Sequence, residues 1–250
     1  MKQIAIAGKG GVGKTTFTAL LMRYLMERKP GKAILAVDAD PNANLNETLG
    51  VEVEDTISDI LEDTKRPDAV PTGMSKEMYI QYKLQAAMVE TKEFDLLVMG
   101  NPQGAGCYCY PNDLLRKHLE KLRNNYDYVL VDNEAGLEHL SRRIINDVDM
   151  LIVVSDASAR SVRSAARVHE IVKSVGIDIK EIYLVVTKVT GNEVELLRPE
   201  IEKTGLQLIG TIPLDPLVAE YDVQSKALLE LPDDAPVVKA TNEILDKLSF

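Results

Sequence analysis

Apolar, β-branched runs recur along the chain: QIAIAG from Gln3, AILAVD from Ala33, FDLLVMG from Phe94, DYVLVD from Asp127, DMLIVVSD from Asp149, EIYLVVTK from Glu181 and QLIGTIPLD from Gln207. None shows the polar alternation of a strand with one wet face, so each predicts a strand buried on both sides of a parallel sheet. Between them, helical spacing of apolar residues predicts helices over 15–27, 56–62, 111–123, 137–145, 159–175, 192–203 and 237–248. Strands alternating with helices predict an α/β fold: a doubly wound, mostly parallel sheet flanked by helices. Residues 63–91, with Pro67, Pro71 and Gly73, are the least regular and are expected to form a connection with a short helix or strand. No Pro/Gly/Ser-rich linker or internal repeat divides the chain, so 1–250 is expected to be one domain.

Composition narrows the function classes. There are 39 acidic against 29 basic residues, a net charge of −10, which argues against nucleic acid as a partner. The first apolar run is too short for a signal-peptide core or a membrane span. The last fourteen residues, VVKATNEILDKLSF, carry two lysines against one Glu and one Asp, giving no basic face for anionic lipid. A cytoplasmic location is expected, and there the only two cysteines, Cys107 and Cys109, would be free thiols, a redox pair or metal ligands rather than a structural disulfide.

Gly8-Lys9-Gly10-Gly11-Val12-Gly13-Lys14-Thr15 fits G-x-x-x-x-G-K-[ST] between a predicted strand and a predicted helix, the context a phosphate loop requires. Glycines let backbone N–H groups curl around a phosphate, and the helix start adds a positive dipole end. Lys14 is expected to reach the β and γ phosphates, Thr15 to bind Mg²⁺ through its hydroxyl, and Thr16 to line the same site. Asp132, after four buried positions in DYVLVD, must face something polar to offset its desolvation, and Mg²⁺-bound water is the expected partner. Asn133 to Gly136 are expected to form a moving segment. After the strand EIYLVVTK, the stretch Thr187-Lys188-Val189-Thr190 lacks the Asp that reads guanine in GTPases, so ATP is favoured over GTP. Thr187 and Lys188, with backbone groups near Pro213 and Leu214, are the expected surroundings of the base.

Lys9 adds a lysine at the second position of the motif, which resembles the deviant phosphate loop of the MinD, ParA, ArsA and nitrogenase iron-protein class. That resemblance implies a lysine reaching across a dimer to the other subunit's nucleotide. It also implies a first switch in Asp38-Ala39-Asp40-Pro41-Asn42-Ala43-Asn44, with Asp40 positioning the attacking water and Asn44 near the metal. Asp38 serves either the nucleotide or the strand end as a cap, and ranks below Asp40.

The cysteines sit in GAGCYCYPND, residues 104–113. Pro111 suits a first helical turn, which places Cys109 near a helix N-terminus, where the dipole favours thiolate. Gly104 and Gly106 leave the preceding loop free to reorganise. A soft thiolate pair suits Ni²⁺, Zn²⁺ or Cu⁺, but a closed site needs four donors. A twofold axis would supply them from two copies. Ordinary loop residues and a redox pair remain open on spacing alone. His118, His139 and His169 are minor candidates for further ligands, and Tyr108 and Tyr110 for packing around the pair. GAGCYCYPNDLLR together with KGGVGKTT, DADPNANL and IPLDP resembles the CooC-type nickel-insertion ATPases, including their AcsF branch, over nearly the whole chain. The resemblance implies an ATP/ADP, Mg²⁺ and Ni²⁺ protein, with Zn²⁺ an alternative occupant. It further implies a homodimer bridged through Cys107 and Cys109 and a carbon monoxide dehydrogenase or acetyl-CoA synthase as client. The rival expectation is a metal-free switch of the MinD/ParA kind that recruits partners; an iron–sulfur scaffold ATPase is a third.

Overall fold

The computed structural model describes residues 1–66, 68–101, 109–122, 124–134, 147–175 and 178–250, and their side chains except at 109–112, 147, 169 and 173–175. Eight strands form one sheet: β1 (Lys2–Gly8), β2 (Ile34–Asp38), β3 (Val89–Glu90), β4 (Asp95–Val98), β5 (Tyr128–Asp132), β6 (Asp147–Asp156), β7 (Asp178–Val189) and β8 (Gln207–Pro213), in the order β3-β4-β2-β5-β1-β6-β7-β8. All neighbours pair in parallel except β3 with β4. This is the doubly wound sheet the apolar runs predict, with a short antiparallel edge added.

β1 shows why those runs do not alternate. Ile4, Ala5, Ile6 and Ala7 are all fully buried, because both sheet faces are covered. Ile4 and Ile6 point into a core shared with Phe17, Leu21 and Leu25 of helix α1 (Lys14–Arg28) and Ile244 of helix α9 (Pro236–Leu245). Ala5 and Ala7 point into the other core, with Ile57 and Ile60 of α3 (Ile57–Asp63), Leu115 of α5 (Cys109–Leu122) and Val162 of α6 (Ala159–Val175). Each large aliphatic or aromatic side chain so buried contributes roughly 2–3 kcal/mol. The central α1 is buried on all sides rather than on one stripe. Its buried Arg23 is therefore held by Glu27, the Leu231 carbonyl and Asp233.

The irregular connection holds a helix, as expected, and two further helices were not expected. The irregular connection contains α4 (Lys76–Ala86), capped by Ser75, whose hydroxyl accepts the Met78 N–H at 3.2 Å. It buries only Ile80 and Leu84, too few positions to read as a periodic helix. α2 (Leu45–Leu49) and α8 (Pro216–Val223) are single turns or little more. α8 does carry a start signal, Asp215 at the cap and Pro216 at the first position. The remaining helix, α7, spans Glu193–Lys203. The helix expected over 137–145 lies outside the described residues.

Candidate nucleotide site

The C-terminal ends of β1, β2, β5, β6 and β7 converge on one edge, the edge at which open parallel sheets bind ligands. β1 runs into the loop at Gly8, where a side chain would overlap the Val154 carbonyl oxygen of β6; only glycine lets the loop leave between the strands. Gly11 (φ 74°) and Gly13 (φ 90°) take left-handed conformations, which bend the loop back onto α1. The first helical bond of α1 runs from the Phe17 N–H to the Gly13 carbonyl, and no side chain caps this end. The N–H groups ahead of Phe17 thus have no helical acceptor, and no acidic residue occupies the first turn.

Charged side chains gather below this loop. Lys14 is 7% exposed, and its Nζ lies 3.4 Å from the Lys9 carbonyl oxygen. Burial lowers its pKa, against the opposing pull of Asp132, Asp40 and Glu134. Asp132 is 1% exposed, and burial raises its pKa to about 7, opposed by the Thr15 side chain and Lys14 and reinforced by Asp38 and Asp40. Its Oδ1 is buried without a hydrogen-bond partner. A buried oxygen of this kind is costly unless something fills its lone pairs. A divalent cation between Asp132 and the Thr15 hydroxyl fits that need, and the donor set is the hard-oxygen kind Mg²⁺ takes.

Asp38 aligns with Asp132 across β2 and β5 but does a different job. Its Oδ1 accepts the Asp40 N–H at 3.0 Å and its Oδ2 the Leu45 N–H at 2.9 Å, so it caps the strand end and α2. Burial raises its pKa to about 6, against the opposing effect of those backbone bonds, which favour the charged form. Asp40 is thereby held at the loop, with Oδ1 accepting from the Asn42 N–H and side-chain amide at 2.9 and 3.0 Å. Asn44 is exposed at the α2 cap position and makes no side-chain cap bond. Lys9 and Gly10 are exposed at the loop crest. At the start of the expected moving segment, Asn133 is 2% exposed, and its backbone N–H and Nδ2 both donate to the Ile6 carbonyl of β1, at 3.1 and 2.9 Å.

On the far side of the loop, Gly13, Thr16, Lys188, Pro213 and Leu214 line a narrow apolar cleft, which brings the stretches 187–190 and 212–214 beside the phosphate loop. Its one carboxylate, Asp215, is fully engaged: Oδ1 accepts the Leu217 N–H and Oδ2 the Val237 N–H, both at 3.1 Å. Among the described residues, no acidic side chain is left in the cleft to pair with guanine. The Thr187 hydroxyl, where the cleft meets the loop, lies 2.6 Å from the Val12 carbonyl oxygen, a contact that motif reading did not foresee. A larger depression of about 410 Å³, bordered by Lys29, Lys32, Phe94 and Tyr126, opens at the opposite edge of the sheet, away from this chemistry.

Cys109 is the first residue of α5, the helix start expected from Pro111. Cys107, Tyr108 and His139, and the side chains of Cys109, Tyr110 and His169, lie outside the described residues. His118 is buried within α5 with its Nε2 unpartnered, and burial lowers its pKa. Among the described residues, no group of three or more His, Cys, Asp or Glu is arranged to hold a metal. The strand leading toward the cysteines ends beside Asp38: the Met99 N–H donates to the Asp38 carbonyl at 2.8 Å, and the Met99 carbonyl accepts from the Ser58 N–H and hydroxyl at 2.9 and 2.8 Å.

This geometry agrees with a family match. The profile described as the CobQ/CobB/MinD/ParA nucleotide binding domain matches residues 4–228. The chain belongs to this family. It is an ATP-binding P-loop ATPase of the MinD/ParA class. It is 46% identical over 248 residues to an "uncharacterized ATP-binding protein" of Methanocaldococcus jannaschii, covering 98% of this chain and 97% of that one. Identity to the carbon monoxide dehydrogenase accessory protein CooC of Rhodospirillum rubrum is 32% over 234 residues, 88% and 86% of the two chains. Among solved structures, the MinD cell division protein of Aquifex aeolicus superposes with a TM-score of 0.71 at 25% identity, covering 100% of this chain and 98% of that one. Among the described residues, no helix is long and apolar enough to cross a membrane.

Proposed function

We propose that this member of the family is a Mg²⁺-dependent, dimerising ATPase. It carries nickel between two copies of the Cys107/Cys109 pair and delivers it to a carbon monoxide dehydrogenase or acetyl-CoA synthase. The observation that carries the nucleotide half is the buried, partnerless oxygen of Asp132 beside Thr15 and Lys14, under an uncapped helix start. In that arrangement the loop N–H groups take the phosphate oxygens, and Lys14 gains the anion that repays its burial. Thr15 and Asp132 would hold Mg²⁺, which when bound neutralises charge on the phosphate oxygens. Asp40, steadied by Asn42, aligns the attacking water, and exposed Lys9 reaches the partner's nucleotide.

The metal half rests on chemistry and position. Cys109 opens α5, where the dipole favours thiolate, and the strand before it is hydrogen-bonded to the Asp38 backbone, so the two loops share an anchor. The CooC relative supports the client class. A reducing cytoplasm suits both free thiols and this client. Nickel titration with mass measurement tests the reading: one nickel per two chains in the wild type and none in a Cys107→Ala, Cys109→Ala double variant. Unchanged stoichiometry in that variant would sink it.

The second reading is a nucleotide switch of the MinD kind, and the full-length likeness to MinD favours it. Size-exclusion chromatography separates the two: a switch dimerises with ATP whether or not Ni²⁺ is present.

A further inference from the structure

Thr187 and Lys188 sit in a local break of the sheet. Val186 pairs with Thr211 and Val189 with Pro213, so two residues of β7 oppose the single Ile212 of β8. This is a bulge, the feature that re-aims side chains next to functional sites. Lys188 takes φ 56°, a left-handed conformation that a lysine adopts only when its surroundings hold it there. Both side chains turn toward the phosphate loop. The Thr187 hydroxyl lies 2.6 Å from the Val12 carbonyl oxygen and 3.2 Å from that of Ser155, and the Lys188 Nζ donates to the Gly11 carbonyl at 2.7 Å.

Two consecutive carbonyls of the loop are therefore held from outside it. In a planar trans peptide, the C=O of one residue and the N–H of the next point in opposite directions. Holding the Gly11 carbonyl toward Lys188 turns the Val12 N–H away from it, and holding the Val12 carbonyl toward Thr187 does the same for the Gly13 N–H. We infer that Thr187 and Lys188 are positioning residues that shape the phosphate loop from behind, aiming the Val12 and Gly13 N–H groups at the bound phosphates, and that they act through the loop and not through a hydrogen bond to the base. The inference stands on the ATPase assignment alone and does not involve the cysteines.

The test uses a ligand without a base. Binding of ATP, ADP and inorganic tripolyphosphate to the full chain is measured by calorimetry for wild type, Thr187→Val and Thr187→Ser. Removal of the hydroxyl leaves the Val12 carbonyl unpaired, and Thr187→Val is expected to weaken all three ligands by a common factor of about 10. KM for ATP rises by the same factor with kcat within about twofold, as for lost uniform binding, and Thr187→Ser restores the wild-type values. A loss confined to ATP and ADP, with tripolyphosphate unchanged, would mark a base contact and overturn the inference, as would unchanged binding of all three. Should Thr187→Val not fold, Lys188→Met is the second variant, because this side chain is exposed. It is expected to show the same common weakening by a factor of about 3, and a base-dependent loss or none at all would again overturn the inference.

Discussion

The phosphate loop, which follows β1, and the cysteine pair, whose Cys109 opens α5, differ in what one chain supplies. The loop brings its own glycines, lysine, hydroxyl and carboxylate, and behind them a frame made by Asp38, Asn133, Thr187 and Lys188 whose hydrogen bonds are closed within the chain. What stays open there is the Asp132 oxygen and the helix start, which the proposed function assigns to a Mg²⁺ nucleotide. The cysteine pair brings two donors where a closed soft-metal site takes four. A site complete in one chain can bind before assembly; a half-site makes assembly part of binding. On that contrast, the proposed function assigns nucleotide affinity to the monomer and metal affinity to the dimer.

The sharpest break in the first half is Lys14→Ala. It removes the cation from the phosphates, and kcat/KM for ATP should fall by about 10³ or more in a phosphate-release assay. The fold should tolerate the change, since burial already disfavours this ammonium in the empty site. Lys9→Ala, next in size, sharpens the comparison: about a hundredfold loss of hydrolysis is expected, while ATP binding to the monomer by calorimetry stays within about threefold. Equal loss of binding would place Lys9 on its own chain's nucleotide.

Asp132→Asn should weaken Mg²⁺-nucleotide binding by about tenfold to a hundredfold while raising the melting temperature of the nucleotide-free protein. The pH dependence follows from the same cause. Asp38 and Asp132 have folded pKa values raised to about 6 and about 7 from an ordinary 3.8. Their contribution to stability is fully present below about pH 4 and is lost as pH rises through 6 and 7. Binding of the cation needs Asp132 ionised, so Mg²⁺-dependent nucleotide affinity should move the other way and strengthen between pH 6 and 8. Melting curves with and without Mg²⁺-nucleotide across that range should converge at the acid end.

The smallest effect belongs to the base cleft. Asp215→Ala removes the acceptor of two helix starts and should lower stability by roughly 1–2 kcal/mol in urea unfolding. The ATP-to-GTP ratio should stay as it was, because both oxygens are already engaged by backbone.

Legibility in the sequence followed the same divide between local and non-local causes. The phosphate loop and the central strands could be read because each is specified by its own residues: glycines where φ is positive, and apolar runs where both faces are covered. Eleven-residue α4 was harder to read because only two of its side chains reach the core. The cap and proline ahead of α8 were a signal that went unread. Thr187 and Lys188 could be placed beside the phosphate loop from their strand, but not their contacts: a bulge arises from pairing between β7 and β8, which no single segment records. The tie between Asn133 and β1 likewise could not be read, because its partner Ile6 is distant in sequence.

The claim that most depends on assembly is the nucleotide-gated nickel site, and one measurement addresses it directly. Native mass spectrometry of the wild type, with nickel at fixed excess and the nucleotide varied, counts chains and metals together. Monomers free of nickel are expected without nucleotide, and dimers holding one nickel with ATP. Nickel bound to monomers, or ATP dimers that stay empty at saturating nickel, would contradict it.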